Sequence, residues 1–110
     1  MTVIGFLSVA PVVEGSMSEE VAKAVAALDG FDVGYETTPM GTIIEADDSA
    51  ELFAAAQAAH DAVDADRVST VLKIDDKRTV EQAASEKVAA VEEYLGRPAK
   101  RERGSSSLGP

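Results

Sequence analysis

Alternation of apolar and polar residues marks four segments of the chain as β-strands. The predicted strands are Val3–Pro11, Val33–Thr38, Thr42–Ala46 and Arg67–Asp75. Only a tight turn separates the second and third, and in it Pro39 presets φ while Gly41 eases the return of the chain. These two strands therefore form a hairpin.

Three further segments show the three- and four-residue apolar spacing of amphipathic helices. Each begins at a polar pair with the spacing of an N-terminal cap: Ser16 and Glu19, Asp48 and Glu51, Thr79 and Gln82. Gly30 ends the first helix and Gly96 ends the third. The predicted apolar stripes are Val21, Val25 and Leu28 in the first helix, Leu52, Ala56, Ala59 and Val63 in the second, and Ala84, Val88, Val91 and Leu95 in the third.

The order of these elements, β-α-β-β-α-β-α, predicts an α+β fold. The first six match the ferredoxin-like βαββαβ sandwich, to which the third helix is a C-terminal addition. A length of 110 residues suits one domain, which we assign to residues 1–96. The remaining residues, 97–110, form a basic tail rich in serine and glycine that we predict to be disordered.

Such a sandwich packs both helices on one face of its sheet, and strand alternation predicts what each face carries. The side chains expected on the helix face are Leu7, Val9, Val33, Tyr35, Thr37, Leu72 and Ile74. Those expected on the open face are Phe6, Ser8, Glu36, Thr38, Val71, Lys73 and Asp75. The third strand is ambiguous because Ile43 and Ile44 are both apolar. A mixed open face of this kind favours a partner or a ligand.

The charge balance narrows the classes of partner. The chain has 20 acidic and 10 basic residues, a net charge of -10. The negative electrostatic field of such a chain repels nucleic acid, because nucleic-acid binding depends on neutralising phosphates. It suits a cationic ligand, or a salt-rich cytoplasm, where the self-repulsion is screened. The low lysine content and the abundance of acidic residues and alanine favour a halophilic protein. Because salt adaptation explains the acidity without a ligand, the acidity alone supports no function.

Two absences also bear on function. The chain has no cysteine, which excludes disulfides and thiolate chemistry. No apolar run approaches the roughly 20 residues of a membrane span, and the N-terminal segment lacks the basic region of a signal peptide. We therefore expect a cytoplasmic protein without a membrane partner.

Two segments together resemble a known family. Tyr35–Ala46, YETTPMGTIIEA, and residues 66–78, DRVSTVLKIDDKR, are similar to the small thiamine-binding protein family of ferredoxin-like fold. The resemblance runs from about Val3 to Leu95. It implies binding of thiamine or its hydroxymethylpyrimidine half without a demonstrated reaction. It also implies dimers, or dimers of dimers, that pack their open sheet faces together with help from the third helix.

Thiamine combines an aminopyrimidine, which needs hydrogen-bonding partners, with a cationic thiazolium. Glu36 can accept from the pyrimidine amine and favours the cation, while the Ser8 and Thr38 hydroxyls can donate or accept. The alternative for Glu36 is an ion pair with Lys73 across the sheet. The predicted ligand-binding residues are Ser8, Glu36, Thr38, Met40, Gly41, Thr42 and Lys73. We expect them to line a site on the open face that a second subunit closes.

Met40, at the turn, can pack on an aromatic ring, or it can contact another subunit. For Gly41 the geometry of the turn is the favoured explanation. Thr42 joins the set because of the family motif, although β-propensity also accounts for it.

Other chemistries have weaker support. Asp75 and Asp76 end a strand, where aspartate favours turns and caps, and we predict no metal site there. An anion could be held by Lys73, Lys77 and Arg78. The favoured interpretation is that these basic side chains neutralise the nearby acidic ones. His60 is the only histidine and is expected at a helix edge or at an interface. No catalytic triad and no glycine-rich phosphate loop is present, so we predict no enzyme and no cofactor.

The sequence thus predicts a non-catalytic binder of thiamine or hydroxymethylpyrimidine that acts in transport, storage or sensing. The alternative is a structural or regulatory homo-oligomer without a small-molecule ligand. A third hypothesis, an enzyme of thiamine metabolism, lacks a supporting constellation of residues.

Overall fold

The computed structural model describes residues 2–79 and 82–103. Four strands and three α-helices follow one another as predicted, with a 3₁₀ turn, Leu28–Gly30, directly after the first helix. The elements are β1 (Val3–Pro11), α1 (Ser18–Ala27), β2 (Val33–Thr38), β3 (Gly41–Ala46), α2 (Ser49–Ala62), β4 (Val68–Asp76) and α3 (Ala84–Leu95).

The four strands form one antiparallel sheet in the order β2-β3-β1-β4. α1 and α2 pack against each other and against one face of this sheet. The predicted α+β, ferredoxin-like sandwich with an additional C-terminal helix is confirmed.

The core lies between the sheet and these two helices. β1 and β3 alternate strictly between buried and half-buried positions, which places Leu7 and Val9 on the helix face as predicted. β3 buries Ile44 and leaves Ile43 on the open face, which resolves the ambiguity of that strand. Gly5 lets α2 approach closely, because a Cβ there would lie only 3.0 Å from Leu52 Cδ1.

The cap prediction is confirmed for α2 and wrong for α1. The Asp48 carboxylate accepts a hydrogen bond from the Glu51 backbone N–H at 2.8 Å. In α1 the N-cap is Met17, which has no side-chain cap bond. Ser16 instead accepts a long bond of 3.3 Å from the Ser18 N–H, in an exposed stretch. Ser16 therefore lies one residue before the N-cap, outside the first turn of the helix. It follows Gly15, whose φ is +88°.

α3 begins at Ala84, so Thr79 and Gln82 do not cap it, and that prediction is wrong. Residues 80 and 81 lie outside the described part of the chain. The Ala84 N–H donates instead to Glu45 Oε1 at 3.0 Å, so a carboxylate from β3 supports the helix start. Lys87, one turn later, pairs with Asp75 of β4. α3 is thus anchored by its first turn to the open face of the sheet.

The rest of α3 has little contact with the sheet. No residue of the helix is buried, and Val88, Val91 and Leu95 of the predicted stripe are exposed. Beyond Gly96 the Ala99 N–H donates to the Glu92 carboxylate at 2.6 Å. The predicted disordered tail is described only as far as residue 103, and residues 104–110 lie outside the described residues.

Candidate functional site

A cleft of about 170 Å³ lies between α1 and the turn that joins β2 to β3. Five of the seven predicted ligand-binding residues line it: Ser8, Thr38, Met40, Gly41 and Thr42. The two charged members of the predicted set, Glu36 and Lys73, lie elsewhere on the sheet.

The cleft exists because β1 is longer than its neighbour β3. Pairing between the two strands ends at Leu7 and Thr42, yet β1 continues beside β4 as far as Pro11. The sheet therefore has a notch beside Ser8–Ala10, bounded by the hairpin turn. α1 covers the helix side of this notch with Met17, Val21 and Val25.

The Thr38 hydroxyl holds the turn together. It donates to the Gly41 carbonyl at 2.8 Å and lies 3.3 Å from the backbone N–H groups of Met40 and Gly41. A hydroxyl has one donor and two acceptor sites, so these three bonds occupy its capacity. Thr38 therefore shapes the cleft by fixing the turn.

Thr42 is the buried polar residue of the cleft, with 6% of its surface exposed. Its hydroxyl lies 3.3 Å from the hydroxyl of Thr37, on the helix face of the sheet. This contact uses only part of the hydrogen-bonding capacity of the Thr42 hydroxyl. Thr42 thus presents a polar group within mostly apolar walls.

Gly41 is required by close packing. An added Cβ would lie 2.6 Å from Phe6 Cζ and 2.8 Å from the Leu7 carbonyl oxygen. Its φ lies outside the left-handed region, so conformational freedom is not the reason for glycine here. The explanation by turn geometry is therefore replaced by contact with β1.

Two methionines line the cleft: Met40 from the turn and Met17 from the start of α1. Met40 is 80% exposed and Met17 is 44% exposed, which is high for apolar side chains. Their flexible thioethers can pack on an aromatic ring.

The sequence did not predict that Met17 and the side chains of α1 form one wall of the cleft. The available signal was that Met17 lies four residues before Val21 and so extends the apolar stripe.

Glu36 and Lys73 occupy opposite ends of one row across the open face. Strand register places Glu36 opposite Ile43, Ile43 opposite Phe6, and Phe6 opposite Lys73. Three strand spacings separate the two ends, about 14 Å between Cα atoms. No ion pair joins them within the described residues, so the predicted cross-sheet alternative is wrong.

The acidic pair at the end of β4 holds basic side chains. Asp75 pairs with Lys87, and Asp76 pairs with Arg78 at 3.1 Å. The hydrogen bond from Lys87 is the main cause that lowers the pKa of the Asp75 carboxyl, with smaller effects from Lys73 and Lys77. No carboxylate or histidine cluster suited to a metal occurs among residues 2–79 and 82–103.

His60 lies at the exposed edge of α2, as predicted. Its Nδ1 lies 2.5 Å from the Thr70 hydroxyl of β4, and neither residue lines the cleft, although Thr70 is the cross-strand partner of Val9. In the described part of the chain no helix is long and apolar enough to span a membrane.

These features define a ferredoxin-like α+β domain with a cleft between α1 and a hairpin turn. The family model described as thiamine-binding protein matches residues 6–92. A UPF0045 protein of Methanothermobacter thermautotrophicus is 48% identical over 83 residues, which are 73% of this chain and 84% of that protein. A UPF0045 protein of Mycobacterium bovis is 40% identical over 101 residues, covering 89% of this chain and 99% of the relative.

Solved structures agree with the fold. A hypothetical protein of Methanocaldococcus jannaschii superposes with a TM-score of 0.78 at 36% identity, over 84% of this chain and 97% of that one. A Thermotoga maritima protein named for thiamine biosynthesis or salvage superposes with a TM-score of 0.72 at 24% identity, over 83% and 99% of the two chains. The chain belongs to the thiamine-binding protein family.

Proposed function

We propose that this protein binds thiamine or its hydroxymethylpyrimidine half in the cleft between α1 and the β2–β3 turn. The observation that carries the proposal is the convergence of Ser8, Met40, Gly41 and Thr42 on one cleft, in a chain of the thiamine-binding family. The naming of the Thermotoga maritima structure for thiamine biosynthesis or salvage supports the same class of ligand.

The size of the cleft indicates that it encloses the pyrimidine half of thiamine. A cavity of about 150 Å³ is sufficient for benzene, and the cleft measures about 170 Å³. One six-membered ring therefore fits, whereas two linked rings do not. The thiazolium of bound thiamine would extend through the mouth toward solvent, where the net charge of -10 favours a cation.

The lining suits an aromatic ring with polar substituents. Val21, Val25 and Leu28 offer apolar contact from α1 and the following turn, and Met17 and Met40 can close over the ring. Ser8 and Thr42 supply hydroxyls that can donate or accept. A ligand here gains from apolar burial and from a few polar contacts that orient it.

We assign Glu36 and Lys73 to assembly of a homo-oligomer, a dimer or a dimer of dimers. Their row has Ile43 and Phe6 between a negative and a positive end. A two-fold axis parallel to the strands would place the negative end of one row against the positive end of the second copy's row. Such a surface is complementary to itself, as a closed dimer requires.

The function that follows is non-catalytic, in thiamine transport, storage or sensing in a cytoplasm of high salt. Binding is proposed without a reaction because the cleft residues offer hydroxyls and thioethers and no acid–base pair. An enzyme of thiamine metabolism remains the contrasting class, and turnover of the ligand by purified protein would establish it.

Calorimetric titration with thiamine and with hydroxymethylpyrimidine tests the proposal, in about molar KCl so that surface charges are screened. Saturable binding of one ligand per subunit is expected. Val21→Phe should abolish it, because the larger side chain fills the cleft. Ala22→Phe is the matched control, since Ala22 is exposed on the same helix and does not line the cleft. A flat trace from folded protein would contradict the proposal.

The second candidate is a structural or regulatory homo-oligomer without a ligand. The exposed apolar side chains of α3, Val88, Val91 and Leu95, favour it because they offer an unpartnered helix face. Both candidates predict assembly, so sedimentation equilibrium has to be combined with the ligand titration, and only the first candidate predicts a binding signal. Under ligand binding, Glu36→Ala leaves hydroxymethylpyrimidine affinity unchanged and weakens assembly. Under the second candidate, the protein assembles and no variant affects a ligand signal.

A further inference from the structure

The backbone of β1 beside the cleft has an orientation that the strand register fixes. The Val12 N–H donates to the Arg67 carbonyl at 2.8 Å, and these two residues continue the β1–β4 register. Backbone groups of successive strand residues point to opposite sides. The N–H and C=O of Val9, three residues earlier, therefore point away from β4, toward the side where β3 would lie.

Among residues 2–79 and 82–103, no strand lies on that side at Val9. The β1–β3 ladder ends at Leu7 and Thr42, and the next position opposite Val9 is Met40 in the turn. The Met40 N–H lies 3.3 Å from the Thr38 hydroxyl, and no turn hydrogen bond reaches Val9 among the described residues. Pro11 agrees with this orientation, because a residue without an N–H is tolerated in a strand where that side has no partner.

Val9 also lines the cleft, and only 6% of its surface is exposed. Its N–H and C=O are therefore a donor and an acceptor held side by side at a partly enclosed site. Backbone polar groups that are shielded from water are nearly always paired. A ligand with the opposite pattern would supply the missing partners.

A 4-aminopyrimidine has that pattern, since its exocyclic amine donates and the adjacent ring nitrogen accepts. We propose that the Val9 backbone recognises this edge of the pyrimidine through two parallel hydrogen bonds, the ring nitrogen accepting from the Val9 N–H and the amine donating to the Val9 carbonyl. This inference rests on the proposed function and names the group that gives it specificity. The hydroxyls of Ser8 and Thr42 orient the ring but do not discriminate, because each can donate or accept.

A ligand series on the unmodified protein tests the inference. Oxythiamine has an oxo group in place of the amine and a proton on the adjacent nitrogen, so its edge is reversed. Pyrithiamine keeps the aminopyrimidine and changes only the second ring. We expect oxythiamine to bind about 10- to 100-fold more weakly than thiamine, the loss typical of a mismatched pair of parallel hydrogen bonds. Pyrithiamine should bind within about threefold of thiamine, because it leaves that pair of bonds intact.

Three variants locate the recognising group. Val9→Pro removes the N–H without breaking a ladder bond, and it should bring thiamine affinity close to that of oxythiamine. Val9→Ala loses side-chain contact but keeps the N–H, so the ratio of the two affinities should persist. The Glu36 carboxylate can only accept hydrogen bonds, so it is the competing explanation for a preference for the amine. If Val9 is the recognising group, Glu36→Gln should also keep the ratio of the thiamine and oxythiamine affinities.

The outcomes are distinguishable. Equal affinities for thiamine and oxythiamine overturn the inference and leave the proposed function standing. A ratio that disappears in Glu36→Gln overturns it in favour of that carboxylate. No binding of thiamine or hydroxymethylpyrimidine overturns the proposed function together with this inference. If Val9→Pro does not fold, as judged by circular dichroism, the ligand series on the unmodified protein and the Glu36→Gln variant still test the inference.

Discussion

Replacement of Gly41 by alanine tests how closely the turn is packed against β1. The new Cβ would lie 2.6 Å from Phe6 Cζ and 2.8 Å from the Leu7 carbonyl oxygen, both too close for real contacts. The Phe6 ring can rotate away, but the carbonyl belongs to the strand and can yield only if the turn moves. Overpacking of this kind typically costs about 1–3 kcal/mol, and we expect Gly41→Ala to lower the free energy of unfolding by that amount.

Gly34→Ala is the matched control for this substitution. Gly34 belongs to the same hairpin, and a Cβ there would have no heavy atom within 4 Å. Its effect should stay within about 0.5 kcal/mol. Urea unfolding followed by circular dichroism measures both variants, and a double-mutant cycle with Phe6→Ala separates the ring from the carbonyl. Equal stabilities for Gly41→Ala and Gly34→Ala would refute the packing argument.

Three further predictions concern the framework of the site. Leu52→Ala should lower the free energy of unfolding by about 2–5 kcal/mol, because Leu52 is fully buried; a loss below 1 kcal/mol in urea unfolding would contradict this. Asp48→Ala should cost about 0.5–2 kcal/mol by removing the bond to the Glu51 N–H, and an unchanged unfolding midpoint would argue against the cap. Pairing with Lys87 lowers the pKa of the Asp75 carboxyl. The stabilisation of α3 by this ion pair is therefore present above the ordinary aspartate pKa and is lost as the pH falls through the lowered pKa of Asp75. Amide protection factors in α3, which are corrected for the intrinsic pH dependence of exchange, should therefore fall in acid, and Lys87→Ala should remove that fall; persistence of the fall in this variant would exclude the pair as its cause.

Local patterns were sufficient for the strands and for most of the helices. The alternation in Val3–Pro11 identified both faces of β1, and Asp48 capped α2 because its partner lies three residues away. The start of α3 could not be predicted in this way. Its first N–H is satisfied by Glu45, which is 39 residues distant in sequence. Caps that come from another element leave no local signal.

The candidate site was predictable in part for the same physical reason. Thr38, Met40, Gly41 and Thr42 are neighbours in one hairpin, so any fold that forms the hairpin brings them together. Glu36 was expected in the same site because alternation places it on the open face together with Thr38. The cleft, however, lies at the turn end of that strand and is covered by α1, whereas Glu36 lies further along the open face, beside α3.

The wall formed by α1 and the unpaired edge of β1 could not be read from the sequence. The notch depends on β1 extending four residues past its last partner in β3. That difference is a property of register, and each strand taken alone has an ordinary pattern. The sequence therefore indicates which residues carry the chemistry, whereas the strand pairing determines where a ligand can enter.

Chemical-shift mapping by NMR with ¹⁵N-labelled protein and hydroxymethylpyrimidine tests the central claim most directly. We predict saturable changes for the backbone amides around the cleft, at Val9, Val21 and Gly41, and none at Glu36 or Lys73 on the open face. Changes confined to the open face, or no changes at saturating ligand, would contradict the account.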